Sequence, residues 1–495
     1  MSTLTAIPGS PAIVHRWRAF AVLAVAVFME VIDLTIVNVA LPTIGRKLNF
    51  SEANLQWVIT AYGITFGGFL LLGGRAADLL GRRRIVMLGL GIFTGASLAC
   101  ALATSEAFLI AMRGVQGFGA ALVVPAALSI VTNLFEEGTE RNKALGAWGA
   151  MAAGGATVGV VAGGLITRYL GWEYIFYLNV PIGSLVLLLI PRFVPESRLD
   201  TARRRFDPLG AVAVTGGLLT LVYALTKAPQ DGWAATSTVA LLVTSAILLL
   251  GFLVIETRVE APMLPLRIFR LRTLAGANVA GLLLGGSFFG FIFVGTLYMQ
   301  QVLGYSALQT GLAWLATSLT SVGLAGLSQA LVTRGSAKLV LAAGMAMIGG
   351  SAVWATAVPV DGHFWTNLAG PLFISGAGTA FAFIPISIAG LAGVSEHEMG
   401  LASGLLNTSQ RIGGAIGVAV ASTVAASHYS TMIAAGSAHA AALDGGFQWA
   451  FWVCGAIGLA GVPFTLLLVR RSEVNKTLAR AAEIPEAAPA LAAAE

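Results

Sequence analysis

Fourteen runs of about twenty apolar residues recur along this chain, roughly residues 20–41, 54–74, 85–104, 107–131, 143–167, 173–192, 207–226, 235–255, 274–297, 309–332, 338–358, 366–392, 404–426 and 448–469. A helix rises ~1.5 Å per residue, so each run covers the roughly 30 Å hydrocarbon core of a bilayer. Only 11% of the 495 residues are charged, against about 25% in soluble domains. The reading is an all-α integral membrane protein with fourteen transmembrane helices. The net charge of +6 is carried in loops, which argues against a nucleic-acid partner. The first run follows His15, Arg16 and Arg18 and is long enough to serve as a permanent anchor rather than a cleaved signal.

The basic residues set an orientation. With the N-terminus in the cytoplasm, 23 Lys and Arg residues fall on the inner side, including Arg75, Arg82, Arg83, Arg84, Arg141, Lys143 and Arg203 to Arg205. Only Arg46, Lys47, Arg168 and Lys227 fall outside, and Arg113 and Arg411 lie within spans. That bias places both termini in the cytoplasm of a multi-pass protein of the inner (cytoplasmic) membrane.

Glycine spacing discloses a repeat. Gly146, Gly155 and Gly159 in the fifth span return as Gly404, Gly413 and Gly417 in the thirteenth, and Gly117, Gly119 and Pro125 return as Gly376, Gly378 and Pro385. Six spans repeated, with one additional pair between them, is the simplest account. The expected units are a six-helix bundle over 1–200, a helix pair over 201–262, a second six-helix bundle over 263–475 and a flexible tail over 476–495.

Charges inside spans are costly, about 2.5–3.5 kcal/mol each on insertion scales, and therefore informative. The first span carries Glu30 and Asp33 one helical turn apart, on one face of the helix. Asp33 lies ~12 Å below the outer end of its span and Arg113 ~9 Å below the outer end of the fourth. Matching depth makes them a candidate pair, either a proton-coupling site or a structural bridge, and leaves Glu30 over. Glu30, nearest the midplane, is expected to face a central cavity with Gln116, Asn407 and Arg411, as a substrate contact or a second proton site. Alternatively it bonds to Gln116 or to backbone. Arg411 meets substrate, meets an acid, or reaches for the inner surface. The segment Gly73 to Arg84 reads as a short inner loop in which glycines permit a tight turn and Asp78 sits among four arginines. Gly155, Gly159, Gly163 and Gly164 form a ridge suited to close helix packing. Cys100 and Cys454 lie within spans and read as small apolar residues. No Walker A pattern, metal-ligand spacing or catalytic cluster is present in the sequence, so neither a cofactor nor a metal is expected, and the chain does not read as an enzyme.

These segments resemble the major facilitator superfamily, in particular its fourteen-span drug:proton antiporters. Asp33 to Pro42 is similar to the first-helix motif of that family, and Gly74 to Arg84 to its signature loop, in which Gly74, Asp78, Gly81, Arg82 and Arg83 are implicated in conformational switching. Arg113 to Gly117 resembles the motif whose arginine is linked to proton coupling, and Gly159 to Gly164 the antiporter motif. Trp172 to Gly183, Leu303 to Gly311 and Ser403 to Gly417 are supporting matches. Two departures stand out: Val160 replaces the usual proline, and the second-half spans lack the extra carboxylates of relatives that export lipophilic cations. The resemblance implies two six-helix bundles plus an inserted hairpin. It further implies proton-driven export of drugs or other amphipathic compounds by alternating access, with protons, a small-molecule substrate and lipid as partners and a monomer as the working unit. A dedicated exporter of one natural product, an importer, and a membrane sensor that transports nothing are the alternatives. The last would need a signalling domain, and the soluble stretches are short.

Overall fold

The computed structural model describes residues 16–50, 55, 57–135, 139–196, 207–259, 262, 264, 266–394 and 399–469. The expected tail over 476–495 and most of the arginine-rich linker around 203–205 lie outside these. The apolar runs become helices α1 (Arg16–Lys47), α2 (Trp57–Leu80), α3 (Arg82–Ala101), α4 (Glu106–Leu134) and α5 (Thr139–Tyr169). A single turn, Glu173–Tyr177, leads into α6 (Asn179–Phe193). Then come α7 (Pro208–Asp231), α8 (Thr236–Arg258), α9 (Arg272–Gln301), α10 (Ala307–Leu331) and α11 (Ala337–Ala355). The series closes with α12 (Ala369–Leu391), α13 (Met399–Ala434) and α14 (His439–Leu468). Among the described residues, thirteen helices are long and apolar enough to cross a membrane. Helix α5, several of whose side chains are outside that set, runs 31 residues where the fifth span was expected. The described residues contain no strand.

Local chemistry fixes the ends. The Ser105 hydroxyl accepts from the Phe108 amide at the start of α4, and Asp207 caps α7 ahead of Pro208. Ser306 and Gln309 form a reciprocal capping box on α10. Each satisfies amides that the first helical turn leaves open. The expected loop between the second and third spans is much shorter than its sequence suggested. Helix α2 continues through Gly74 to Leu80, and only Gly81, at φ 107°, interrupts it before α3. Gly74 is thus a helix residue, and one left-handed glycine makes the whole turn. Helix α13 is also longer than its apolar run, extending about two turns beyond residue 426.

Packing repeats as the glycines do. In the first half α1 packs on α5 and α6, α2 on α4, and α3 on α4 and α6; in the second half α9 packs on α13 and α14, α10 on α12, and α11 on α12 and α14. Each contact therefore recurs eight helices later, with the same glycines at the crossings. A Cβ at Gly117 would strike the Tyr62 carbonyl, and one at Gly376 the Thr317 carbonyl. A Cβ at Gly119 would lie 2.7 Å from the Gly89 carbonyl, and one at Gly378 2.9 Å from the Gly344 carbonyl. Close backbone approach of this kind is how small residues hold membrane helices together where no water drives them to associate.

The halves meet along two related seams, α5 on α10 and α2 on α13. Helices α7 and α8 pair with one another, and α7 lies against α2 and α13. Near the arginine-rich face one apolar cluster joins Leu71 of α2, Val214 of α7, Leu274 of α9, Leu391 of α12 and Leu405 of α13. The two halves are thereby sealed together at that face. Cys100 and Cys454 are buried and unlinked.

Candidate functional site

The polar residues of α1 are brought to the middle of the bundle by a contact on its opposite side. Gly155, Gly159 and Gly163 of α5 press on α1: a Cβ at Gly155 would lie 3.0 Å from Val31, one at Gly159 2.8 Å from the Ile32 carbonyl, and one at Gly163 2.9 Å from the Ile36 carbonyl. Gly164 turns instead toward Leu308 of α10. The ridge therefore holds the carboxylate-bearing helix against α5, and the next glycine serves the seam. At 160 the backbone remains helical without proline.

Asp33 is fully buried and meets donors from two other helices. Its Oδ2 accepts from Arg113 Nη1 at 2.5 Å, and its Oδ1 accepts from Gln116 Nε2 at 2.9 Å and Asn179 Nδ2 at 2.8 Å. Arg113 also donates from Nε to the Val58 carbonyl and from Nη1 to Gln116 Oε1, and its guanidinium sits 4.5 Å over the Tyr62 ring. Asn179 in turn donates to Ser97, which donates to the Phe176 carbonyl. A buried charge is tolerable only when paired and hydrogen-bonded, and both members of this pair are. Matching depth brought Asp33 and Arg113 together, as found. It did not supply Asn179 or Ser97, whose only signal was a polar side chain within an apolar run. Gln116, expected to line the cavity, lies instead fully buried between Asp33 and Arg113.

Glu30 is not left over. It accepts from the Tyr62 hydroxyl at 3.2 Å, and Arg411 Nη2 of α13 approaches it at 3.8 Å. Neither of its expected local partners is used; Gln116 serves Asp33. Arg411 does not reach for the surface but turns inward, 4.7 Å over the Phe66 ring and 5.5 Å from that of Phe289. The Glu30–Arg411 pair crosses between the halves. Tyr62 joins the two centres, its ring against Arg113 and its hydroxyl on Glu30. Asn407, one turn before Arg411, donates to the Ser403 carbonyl.

At the α2–α3 turn, Asp78 accepts from Arg82 Nε and Nη2 at 3.2 and 3.0 Å, both residues being buried. Arg83 and Arg84 face Glu196 beyond α6, at 3.6 and 3.7 Å. Of the four arginines expected around Asp78, Arg82 pairs with it while Arg83 and Arg84 face Glu196. If the Asp78–Arg82 pair sets the balance between transport states, Asp78→Asn lowers turnover about tenfold, or ~1.4 kcal/mol on the barrier, and spares substrate affinity. Turnover and binding measured on the same reconstituted sample check this; a fall in binding alone assigns Asp78 to the substrate path.

Known proteins resemble this chain over most of its length. The profile of the Major Facilitator Superfamily matches residues 23–418. The puromycin resistance protein pur8 of Streptomyces alboniger is 37% identical over 95% of this chain and 95% of its own length. The cephamycin export protein CmcT of Amycolatopsis lactamdurans is 38% identical over 83% of this chain and 85% of its own, and the multidrug resistance protein Stp of Mycobacterium tuberculosis 36% identical over 82% and 75%. The crystal structure of the human organic anion transporter MFSD10 (TETRAN) covers 92% of this chain and all of its own with a TM-score of 0.64, at 16% identity, a likeness of fold.

Proposed function

From the premise that this chain belongs to the major facilitator superfamily, we propose that it exports drugs or other amphipathic organic compounds in exchange for protons. It is a multi-pass membrane transporter, and we place it in the cytoplasmic membrane, working as a monomer, with both termini and the arginine-rich face toward the cytoplasm. The names of its relatives support export, since they are described as resistance and export proteins.

The observation that carries the proton-coupled reading is the Asp33 site. Its carboxylate, at membrane depth, faces one arginine and accepts from three donors. Protonating it removes the charge that holds Arg113 and converts an acceptor to a donor, so the surrounding hydrogen bonds must be remade. A proton arriving from outside would thus loosen α1 from α4 and α6, and its departure would restore the pairing. In alternating access, the apolar cluster at the arginine-rich face must part for substrate to enter from the cytoplasm. Asp33, Glu30 and Arg113 carry the coupling in this scheme, and Glu30, Asn407 and Arg411 face the compound carried.

Everted vesicles containing the full chain provide the test. Uptake of puromycin and a panel of amphipathic antibiotics is expected to require an inside-acidic gradient and to collapse when the gradient is dissipated. Uptake unaffected by dissipation overturns proton coupling.

A further inference from the structure

The chemistry at Arg411 specifies more than a lipophilic compound. Its guanidinium carries five N–H donors. Among the described residues its one ion pair, to Glu30, is at 3.8 Å, beyond hydrogen-bond reach, and two phenylalanine rings face its guanidinium. The side chain is 28% accessible, whereas the Glu30 side chain is 4% accessible. The guanidinium is therefore desolvated on two faces, short of acceptors, and open on one side, at the junction of the two halves.

Charge balance then restricts what can enter. Asp33 and Arg113 neutralise one another, as do Glu30 and Arg411. A simple cation taking Glu30 leaves Arg411 without a counter-charge deep in the membrane, and a simple anion taking Arg411 does the same to Glu30. Either stranded charge carries the cost of an ion in hydrocarbon. A compound with both charges replaces the pair without altering the total. Resting on the exporter reading, we propose that the site formed by Glu30, Arg411, Phe66 and Phe289 selects amphoteric substrates: an ammonium group for Glu30, a carboxylate or similar anionic oxygen for Arg411, and a flat ring against the phenylalanines. The arrangement also suits antiport. A proton on Glu30 removes the partner of the substrate ammonium and strands that ammonium beside Arg411, so proton and substrate exclude one another.

The probe is ciprofloxacin, a fluorescent zwitterion, with its ethyl ester (cation), its N-acetyl derivative (anion) and the derivative carrying both changes (neutral). Equilibrium binding to the purified full chain in nanodiscs should favour the zwitterion over each singly charged congener by roughly tenfold or more, as a stranded charge at this depth implies. Arg411→Gln should reverse the order of zwitterion and ester, because only the ammonium then has a partner, and Glu30→Gln should reverse that of zwitterion and N-acetyl derivative, because only the carboxylate does. Arg411→Lys, which keeps the charge, should retain the preference and shows that the site has not simply unfolded. Equal binding of all four by the wild type, binding of none, or an equal loss for all four in Arg411→Gln overturns the proposal. Gradient-driven transport of the same compounds is scored separately: selective binding without proton-driven transport overturns the exporter reading and leaves the amphoteric site standing.

Discussion

Asp33→Asn is expected to abolish gradient-driven efflux, by a hundredfold or more on the order of what a buried unpaired charge costs a cycle, while the protein still reaches the membrane in normal amounts. The substitution keeps the shape and removes two things. Arg113 loses its counter-ion while remaining 0% exposed, and breaking a buried pair from one side costs about 3–5 kcal/mol. The site also loses the ability to exchange a proton, so whichever protonation state the substituted amide resembles, the cycle cannot leave it by titration. Asn179→Ala should be milder, since it removes one of three donors and costs about 1–3 kcal/mol; efflux slows and coupling survives. Everted vesicles at equal expression provide the measurement. Efflux at the wild-type rate in Asp33→Asn would sink the assignment of Asp33 as the coupling group.

The second large effect is structural. Gly413→Leu should prevent assembly of the second half. A Cβ at Gly413 would fall on the Leu282 carbonyl of α9, and one turn on, a Cβ at Gly417 would fall on the Gly286 carbonyl. These are backbone atoms within a helix, and no rotamer change relieves the overlap. Overpacking a close core contact costs about 1–3 kcal/mol, and more where backbone must move. Gly91→Leu is the control, because nothing lies within 4 Å of the position. Melting of the detergent-purified variants should separate the two widely, with Gly413→Leu aggregated or lost before purification. Comparable melting temperatures for both would show that α9 and α13 are not locked at this crossing.

Element positions were legible because burying a bare backbone in lipid leaves helices as nearly the only solution, and length then fixes each span. The Asp33–Arg113 pair was legible because depth along a helix can be counted in residues. Lateral neighbours cannot be counted that way. Asn179 reaches Asp33 only because α6 lies beside α1, and Arg411 reaches Glu30 only because the two halves close at α2 and α13. Sequence spacing within one helix holds neither fact. Sequence spacing offers several glycines for the turn before α3; the φ of 107° shows that Gly81 alone makes it. The repeat was legible in glycine spacing, since the same crossings demand the same missing side chains in both halves.

The two seams between the halves are related by that repeat, yet among the described residues α7 lies along α2 and α13 and makes no comparable contact with α5 or α10. Among the described residues, one seam is therefore bordered by the helix pair and the other is not. When the halves rock, the first slides against a surface of fixed shape, while the second exposes area that lipid must cover. The work of that exposure depends on bilayer thickness and tension. Membrane composition is thus expected to act on this carrier from the flank that the helix pair leaves uncovered.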